Sequence, residues 1–200
     1  MSPLWKRSPP ADAQELAEEL GRLGLFDRMD AIAAKRANEA FARQGIDALW
    51  SNELGRDVVA GDAEDLAEGG IGEFLEQLRP YLYERGVAFG DVEDLVSDEG
   101  TRYEVRVGNE VHAIYDPSGA DANAGKSMER MWGLAWVRAF EIVNSLLEKA
   151  GSPERAYTMP EWDVWFLTPQ QFDAIRGAIE EPRERPYAPV DDPPWYGAEH

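Results

Sequence analysis

Residues 127 to 150 constrain this chain more than any other stretch. Met128, Met131, Trp132, Ala135, Trp136, Ala139, Phe140, Val143, Leu146 and Leu147 recur at intervals of three and four, and Gly151 ends the run. The spacing predicts a long helix whose apolar stripe is broad enough to lie against a sheet. Candidate strands stand on both sides of it. VAFGDVEDLV, TRYEVRV and EVHAIYD come before it, AYTM and VWFLT come after it around PEWD, and turn signals separate them. Gly108 and Asn109 predict a tight two-residue hairpin loop at positive φ, which both residues tolerate. Such a loop sets Val107 against Glu110, Val105 against His112 and Tyr103 against Ile114, with His112 on the face of Tyr103, Val105 and Ile114.

The rest of the chain reads as helices and a tail. Asp12 and Glu15 have capping-box spacing, Leu16, Leu20 and Leu23 form one face, and Gly24 is a stop. A second helix is expected from about Asp27 to Gln44, with Met29, Ile32, Ala33, Ala40 and Phe41 as its stripe. A third short segment puts Leu49, Trp50 and Leu54 at helical spacing. Gly69 and Gly70 break the chain before IGEFLEQLRPYLYERG, in which Pro80 should kink or restart the helix and Gly86 should close it. Thr168, Pro169 and Gln171 predict a capped last helix, with Phe172, Ile175, Ala178 and Ile179 facing inward. The expected fold class is α+β: an antiparallel or mixed sheet of about five strands covered by helices, with an N-terminal helical segment. The expected organisation is a helical segment over 1–60, an α+β core over 61–180 and a proline-rich extended tail over 181–200.

Charge narrows the partners. The 200 residues include 39 acidic and 20 basic ones, a net charge of −19 spread along the whole chain. Such a field repels phosphate backbones and anionic lipid headgroups and steers cationic partners inward, so neither nucleic acid nor membrane is an expected partner. No run of eighteen apolar residues occurs, and the start, MSPLWKRSPP, leads into an acidic helical pattern instead of a signal sequence. With no cysteine there is no disulfide or thiolate metal site, and a cytoplasmic location is the expectation.

Few motifs carry chemistry. ADANAGKS, residues 120 to 127, fits a relaxed phosphate-loop pattern in which Gly125, Lys126 and Ser127 would serve a nucleotide. Ala120 replaces the leading glycine, however, no later strand ends in a magnesium-directing aspartate, and the preceding strand belongs to a hairpin. The reading preferred is that Ser127 caps the long helix. GGIGEF, residues 69 to 74, puts glycines before a helix whose amides would accept an anion, but it lacks G-x-G-x-x-G spacing and reads as a turn. With only His112 and His200, no site of several imidazoles can form. The acidic stretches GDAEDLAEGG and DVEDLVSDEG lack the calcium-loop spacing, so they read as solvated loops. No metal or cofactor is expected. His112 reads as a sheet-face residue with one satisfied hydrogen bond, not as a general base.

The aromatics beside acids are the better clue. Trp162 lies between Glu161 and Asp163 in the expected turn of the last two strands, and Trp195 and Tyr196 follow Asp191 and Asp192 in the tail. A tryptophan at a loop tip anchors in a partner's pocket while carboxylates meet lysine or arginine around it. The alternative is that these rings pack on the chain itself.

The stretch WGLAWVRAFEIVNSLLEKAGSPERAYTMPEWDVWFLTPQQFDAI, with the tail ending DPPWYG, resembles small acidic bacterial immunity-type proteins of polymorphic toxin systems. The resemblance covers about residues 62–196 and rests on the order of elements and on the I-V-N, A-G-S-P-E-R and F-L-T-P segments. It implies a protein that binds and neutralises a toxin without catalysis of its own, and it transfers no binding residue by position. The expected function is therefore an acidic cytoplasmic inhibitor, not an enzyme, that occludes the active site of a basic protein of the nuclease-toxin kind. Its contacts would be Glu161, Trp162 and Asp163, then Asp191, Asp192, Trp195 and Tyr196. Two alternatives stand beside it: an enzyme working through a carboxylate cluster or the loop at Lys126, and an intracellular structural or assembly protein.

Overall fold

A computed structural model describes residues 13–50, 61–116, 127–159 and 163–199. The chain divides into two compact units. One holds the described residues up to 57 together with Pro169–Glu181, and the other holds those from 58 to Thr168 together with the tail from Pro182.

The first unit is helical. Helix α1 spans Ala13–Arg22 and buries Ala13, Ala17 and Leu20. The expected cap at Asp12 lies outside the described residues. Helix α2 spans Ala31–Gln44 and starts later than the apolar pattern predicts, because the Asp30 carboxylate accepts the amides of Ile32 and Ala33 at 2.8 and 2.9 Å and fixes the first turn there. Ile32 consequently sits on the outer side, 67% exposed, whereas Ala40 and Phe41 are buried as expected. A 3-10 turn follows over Gly45–Trp50 and buries Leu49. The helix of Pro169–Ala178, called α6 below, belongs to this unit. Its buried Gln171 donates a side-chain amide to the Leu23 carbonyl at 2.9 Å, giving a partner to the chain leaving α1.

The second unit is α+β. A one-turn helix α3 (Ala63–Asp65) runs into a π-helical turn (Leu66–Gly70) and then into α4 (Ile71–Tyr83). The acidic stretch expected to be a loop is thus helical, and Gly69, at φ 102°, makes the bend between its two parts. Pro80 does not break α4, which continues to Tyr83 because Leu78 and Leu82 are buried on either side of the proline. Gly86, at φ 77°, closes it as expected.

Strands β1 (Val92–Val96), β2 (Tyr103–Val107) and β3 (Glu110–Tyr115) form an antiparallel meander. Val107 opposes Glu110 and Val105 opposes His112 as the hairpin predicts. Only Gly108 of the loop has positive φ, 57°, which is the geometry of a type II′ turn with glycine first. Tyr103 opposes Tyr115, not Ile114, because a bulge beside Tyr103 inserts one residue and turns both Ile114 and Tyr115 inward.

Helix α5 (Met128–Lys149) carries the predicted stripe and buries more than that stripe, since Gly133, Leu134, Val137 and Ile142 are covered too. Strands β4 (Arg155–Thr158) and β5 (Val164–Leu167) follow as a separate antiparallel pair. The five expected strands therefore form a three-stranded and a two-stranded sheet instead of one. The outer edge of β4 explains the separation. Asn144 of α5 donates to the Ala156 carbonyl at 3.2 Å and accepts its amide at 2.7 Å, and Thr158 exchanges both backbone bonds with Tyr187 of the tail at 3.0 Å. With those groups satisfied, no edge is left there for the other sheet to pair with.

One contact between α4 and the meander fixes both. The Asp94 carboxylate of β1 accepts the Gly72 amide at 3.0 and 3.1 Å and the Tyr103 hydroxyl, and the Tyr103 oxygen accepts the Ile71 amide at 3.1 Å. Burial raises the Asp94 carboxyl above its usual value against the pull of these donors, and burial with the adjacent carboxylate pushes the Tyr103 hydroxyl far up, so it remains a donor. GGIGEF, read from sequence as a turn, gives its Gly72 amide to the chain's own Asp94 carboxylate. A Cβ on Gly72 would overlap Asp94. Gly72→Ala should destabilise the second unit by about 1–3 kcal/mol through that overlap; urea unfolding that shows no loss would contradict the tight seating of Asp94.

Candidate functional site

The site is built where the tail crosses the amino end of α5. Ser127 caps the helix, its hydroxyl accepting the Arg130 amide at 3.4 Å, as the preferred sequence reading has it. Gly125 and Lys126 lie outside the described residues. One turn on, the Arg130 guanidinium reaches the Asp191 carboxylate with two hydrogen bonds, one of them at 3.0 Å, and lies 5.8 Å from the Tyr196 ring. Bidentate pairs of this kind fix geometry as well as charge. The tail is also closed on itself. Tyr196 donates to the Asp192 carbonyl at 2.8 Å and Val190 donates to the Tyr196 carbonyl at 3.0 Å.

Gly133 explains why the ring sits so close. A Cβ there would fall inside the Tyr196 ring, so only glycine lets the tail lie on the helix. Tyr196 itself takes φ 49°, and Gly197 follows at φ 100°, where a side chain would meet the Ala188 carbonyl.

Between tail and helix lies a cavity of about 920 Å³ walled by Trp132, Trp136, Tyr187, Trp195 and Tyr196. Trp136 is buried, whereas Trp195 is 54% exposed. Burial pushes the Tyr187 hydroxyl up, with Trp136 and Thr158 hydrogen bonding in the opposite direction. Two of the arginines in the wall have their own acids: Arg130 has Asp191, and Arg185 has Glu199 at 3.1 Å. Arg183 stands exposed beside them. Asp62, Glu64 and Glu129 line the same cavity and make no ion pair among the described residues.

A second hollow of about 390 Å³ adjoins the first at Gly61 and Asp62 and carries Asp65, Glu68 and Glu73. No lysine or arginine occurs from Gly61 to Leu78. Asp65, Glu68 and Glu73 follow one another along the segment that lines this hollow, and Glu73 accepts the Gln77 side-chain amide at 3.3 Å. Among the described residues no group of three acids or histidines converges as metal ligands do. The row presents separate carboxylates, which suits several cationic side chains at once.

The residues expected to contact a partner are therefore distributed unevenly. Trp195 and Tyr196 line the cavity and Asp191 does not; Asp191 and Tyr196 hold the tail on α5, and Trp195 is 54% exposed. Asp192 serves the tail's internal turn through its backbone. Asp163 accepts the Met159 amide at 3.0 Å in the turn between β4 and β5 and does not line the cavity. Glu161 and Trp162 lie outside the described residues. His112 is half-buried opposite Val105, with Nε2 3.9 Å from the Glu110 carboxylate, so the hydrogen bond expected for it is not made with that neighbour. Burial lowers its pKa. The acid row and Arg130 escaped the sequence reading; the absence of any basic residue over 61–78 was the visible signal for the first, while the second depends on a tail sixty-one residues away.

Comparison with family models, curated proteins and solved structures gives no match to the chain.

Gly133→Ala should leave α5 helical, since alanine favours a helix, yet lift the tail. Chymotryptic cleavage near Trp195 should then quicken about tenfold with an unchanged helical circular-dichroism signal, and equal cleavage rates would show that the ring is not seated there. The Arg130–Asp191 pair also has a definite pH signature. Arg130 holds the Asp191 carboxyl below the usual carboxylate range. Its contribution is therefore fully present above the unfolded-state value of roughly 4 and fades as pH falls through the lower folded value. Urea unfolding at pH 7 and pH 3 should show a smaller acid loss in Asp191→Asn than in the parent; equal losses would refute the coupling.

Proposed function

We propose that this chain is an acidic binding protein whose partner is a basic protein, and that it acts as an immunity-type inhibitor covering the active site of a nuclease-type toxin. The observation that carries the reading is the row of Asp65, Glu68 and Glu73, joined at Asp62 to an aromatic cavity and free of basic residues along the same segment. A nuclease must bind a polyanion, so its active site is basic. An inhibitor with carboxylates in a row offers that site the same charge without a scissile bond. Charge complementarity of this kind raises the association rate and fixes orientation more than it raises affinity.

The resemblance to immunity-type proteins points the same way, as does the net charge of −19. The contact surface differs from the one expected from sequence alone, because Asp191 and Tyr196 are engaged within the tail. The acid row takes their place, in a hollow that adjoins the Trp195 cavity at Gly61 and Asp62. On this reading the protein works by occupancy.

The test is co-expression with the basic C-terminal domain of the toxin encoded next to its gene, followed by stopped-flow association. The parent chain should protect the cell. Asp65→Lys with Glu68→Lys and Glu73→Lys should slow association by about tenfold or more at low salt, with the difference shrinking as salt rises. A neighbouring toxin that the parent does not neutralise, or association indifferent to the triple reversal, would overturn the reading.

A further inference from the structure

The cavity beneath the tail is large and lined by aromatic rings. About 920 Å³ is the size of a small-ligand pocket, and its five rings stand among carboxylates. What enters it is decided by charge. Arg130 is matched by Asp191, which stands outside the lining, and Arg185 by Glu199 within it. Against the exposed Arg183 stand Asp62, Glu64 and Glu129, and the mouth at Gly61 and Asp62 opens onto the row of Asp65, Glu68 and Glu73. The balance at the mouth is negative. Indole faces beside carboxylates bind a planar cation, by attraction to the ring quadrupole and by hydrogen bonds from its edge.

We infer that the cavity walled by Trp132, Trp136 and Trp195 is the anchor site for an arginine side chain of a basic protein partner. This rests on the proposed function and names the partner chemistry that its site recognises. Arginine fits better than lysine because its guanidinium is flat, sheds water readily and offers several donors in a fixed fork, whereas an ammonium is compact and strongly hydrated. The acid row draws in the basic segment, and the aromatic cavity selects one arginine from it. Trp195 is the ring that an incoming side chain meets first, since it is the most exposed of the three tryptophans. Its position is held by Asp191 on Arg130 and Tyr196 on Gly133, so the tail forms one wall of the site.

The experiment titrates the full-length protein with hexa-arginine and with hexa-lysine peptides while following the indole N–H resonances by NMR. Hexa-arginine should shift the Trp132, Trp136 and Trp195 indole signals and bind more tightly than hexa-lysine. Trp195→Ala, a change at a half-exposed ring that leaves the core intact, should weaken hexa-arginine about fivefold and hexa-lysine little. Asp65→Asn with Glu68→Gln and Glu73→Gln should weaken both peptides alike. Indole signals that stay still, equal affinity for the two peptides, or a Trp195→Ala protein that binds hexa-arginine as the parent does would overturn the inference, and neutralisation of the toxin with its dependence on the acid row would still stand. An arginine-selective effect of Trp195 without any toxin neutralised would instead uphold the cavity and sink the inhibitor reading.

Discussion

Helix α5 sets the requirement that the second unit is built to meet. Its buried positions reach round from Leu134, Trp136 and Phe140 to Gly133, Val137 and Ile142, so one sheet cannot cover it. A helix apolar on more than one side must be enclosed. The meander contributes Tyr103, Val105 and Ile114 to a single core cluster, and the β4–β5 hairpin contributes Ala156, Val164 and Phe166 to the same cluster. Gly133 and Asn144, eleven residues apart and hence on one face, meet the tail and β4 respectively. Both sheets pack on this one helix, the meander and the β4–β5 hairpin sharing its core cluster.

The amino end of α4 shows how the fold handles charge in its interior. Helix amides attract anions, and a glycine-rich start makes room for one. Here Asp94 comes across from β1, with Tyr103 between it and the Ile71 amide, so the sheet caps the helix. Arg79 returns the tie from the helix, donating to the Phe89 carbonyl at 2.8 Å and the Gly90 carbonyl at 3.1 Å, with its guanidinium 4.0 Å over the Phe89 ring. Arg85 pairs with Glu154 in a nearly buried position and lies 4.2 Å over Phe166, tying the end of α4 to the hairpin. Removing one member of such a pair is costly, because the other is left charged in a poor solvent.

Local signals were legible and distant ones were not. The α5 stripe, the Gly108 hairpin, the Gly86 stop and the Ser127 cap could all be read because each depends on residues within a turn of one another. The bulge at Tyr103 could not, since alternation in a strand carries no mark of one extra residue when both Ile114 and Tyr115 are apolar. The apolar pattern starts α2 near Asp27 because Met29 continues its stripe, but Asp30 is the residue whose side chain caps the helix, so the first turn begins at Ala31. The grouping of α6 with the N-terminal helices rests on Gln171 meeting Leu23, a contact between residues 148 apart that no local pattern announces. At the candidate site the tail aromatics stood out in the sequence, but what they pack on did not. Gly133 looks like a weak point in a helix until Tyr196 is placed over it.

The acidity of the chain takes on a different meaning once its partners are located. A surplus of carboxylates is usually a solvated surface that keeps a protein apart from its neighbours. Several arginines are engaged with the chain's own acids: Arg130 and Arg185 hold the tail, Arg85 joins α4 to the hairpin, and Arg102 and Arg106 lie on the meander beside Glu104 and Glu93. None of these falls on the segment from Gly61 to Leu78. Asp62, Asp65, Glu68 and Glu73 follow one another on that segment and line one hollow, which shares Gly61 and Asp62 with the tail cavity. Steering and anchoring are separate physical tasks: the first needs unscreened charge over a distance, the second a dehydrated pocket at contact. On the proposed reading the helical acids would serve the first, and the cavity formed where the tail attaches to α5 would serve the second.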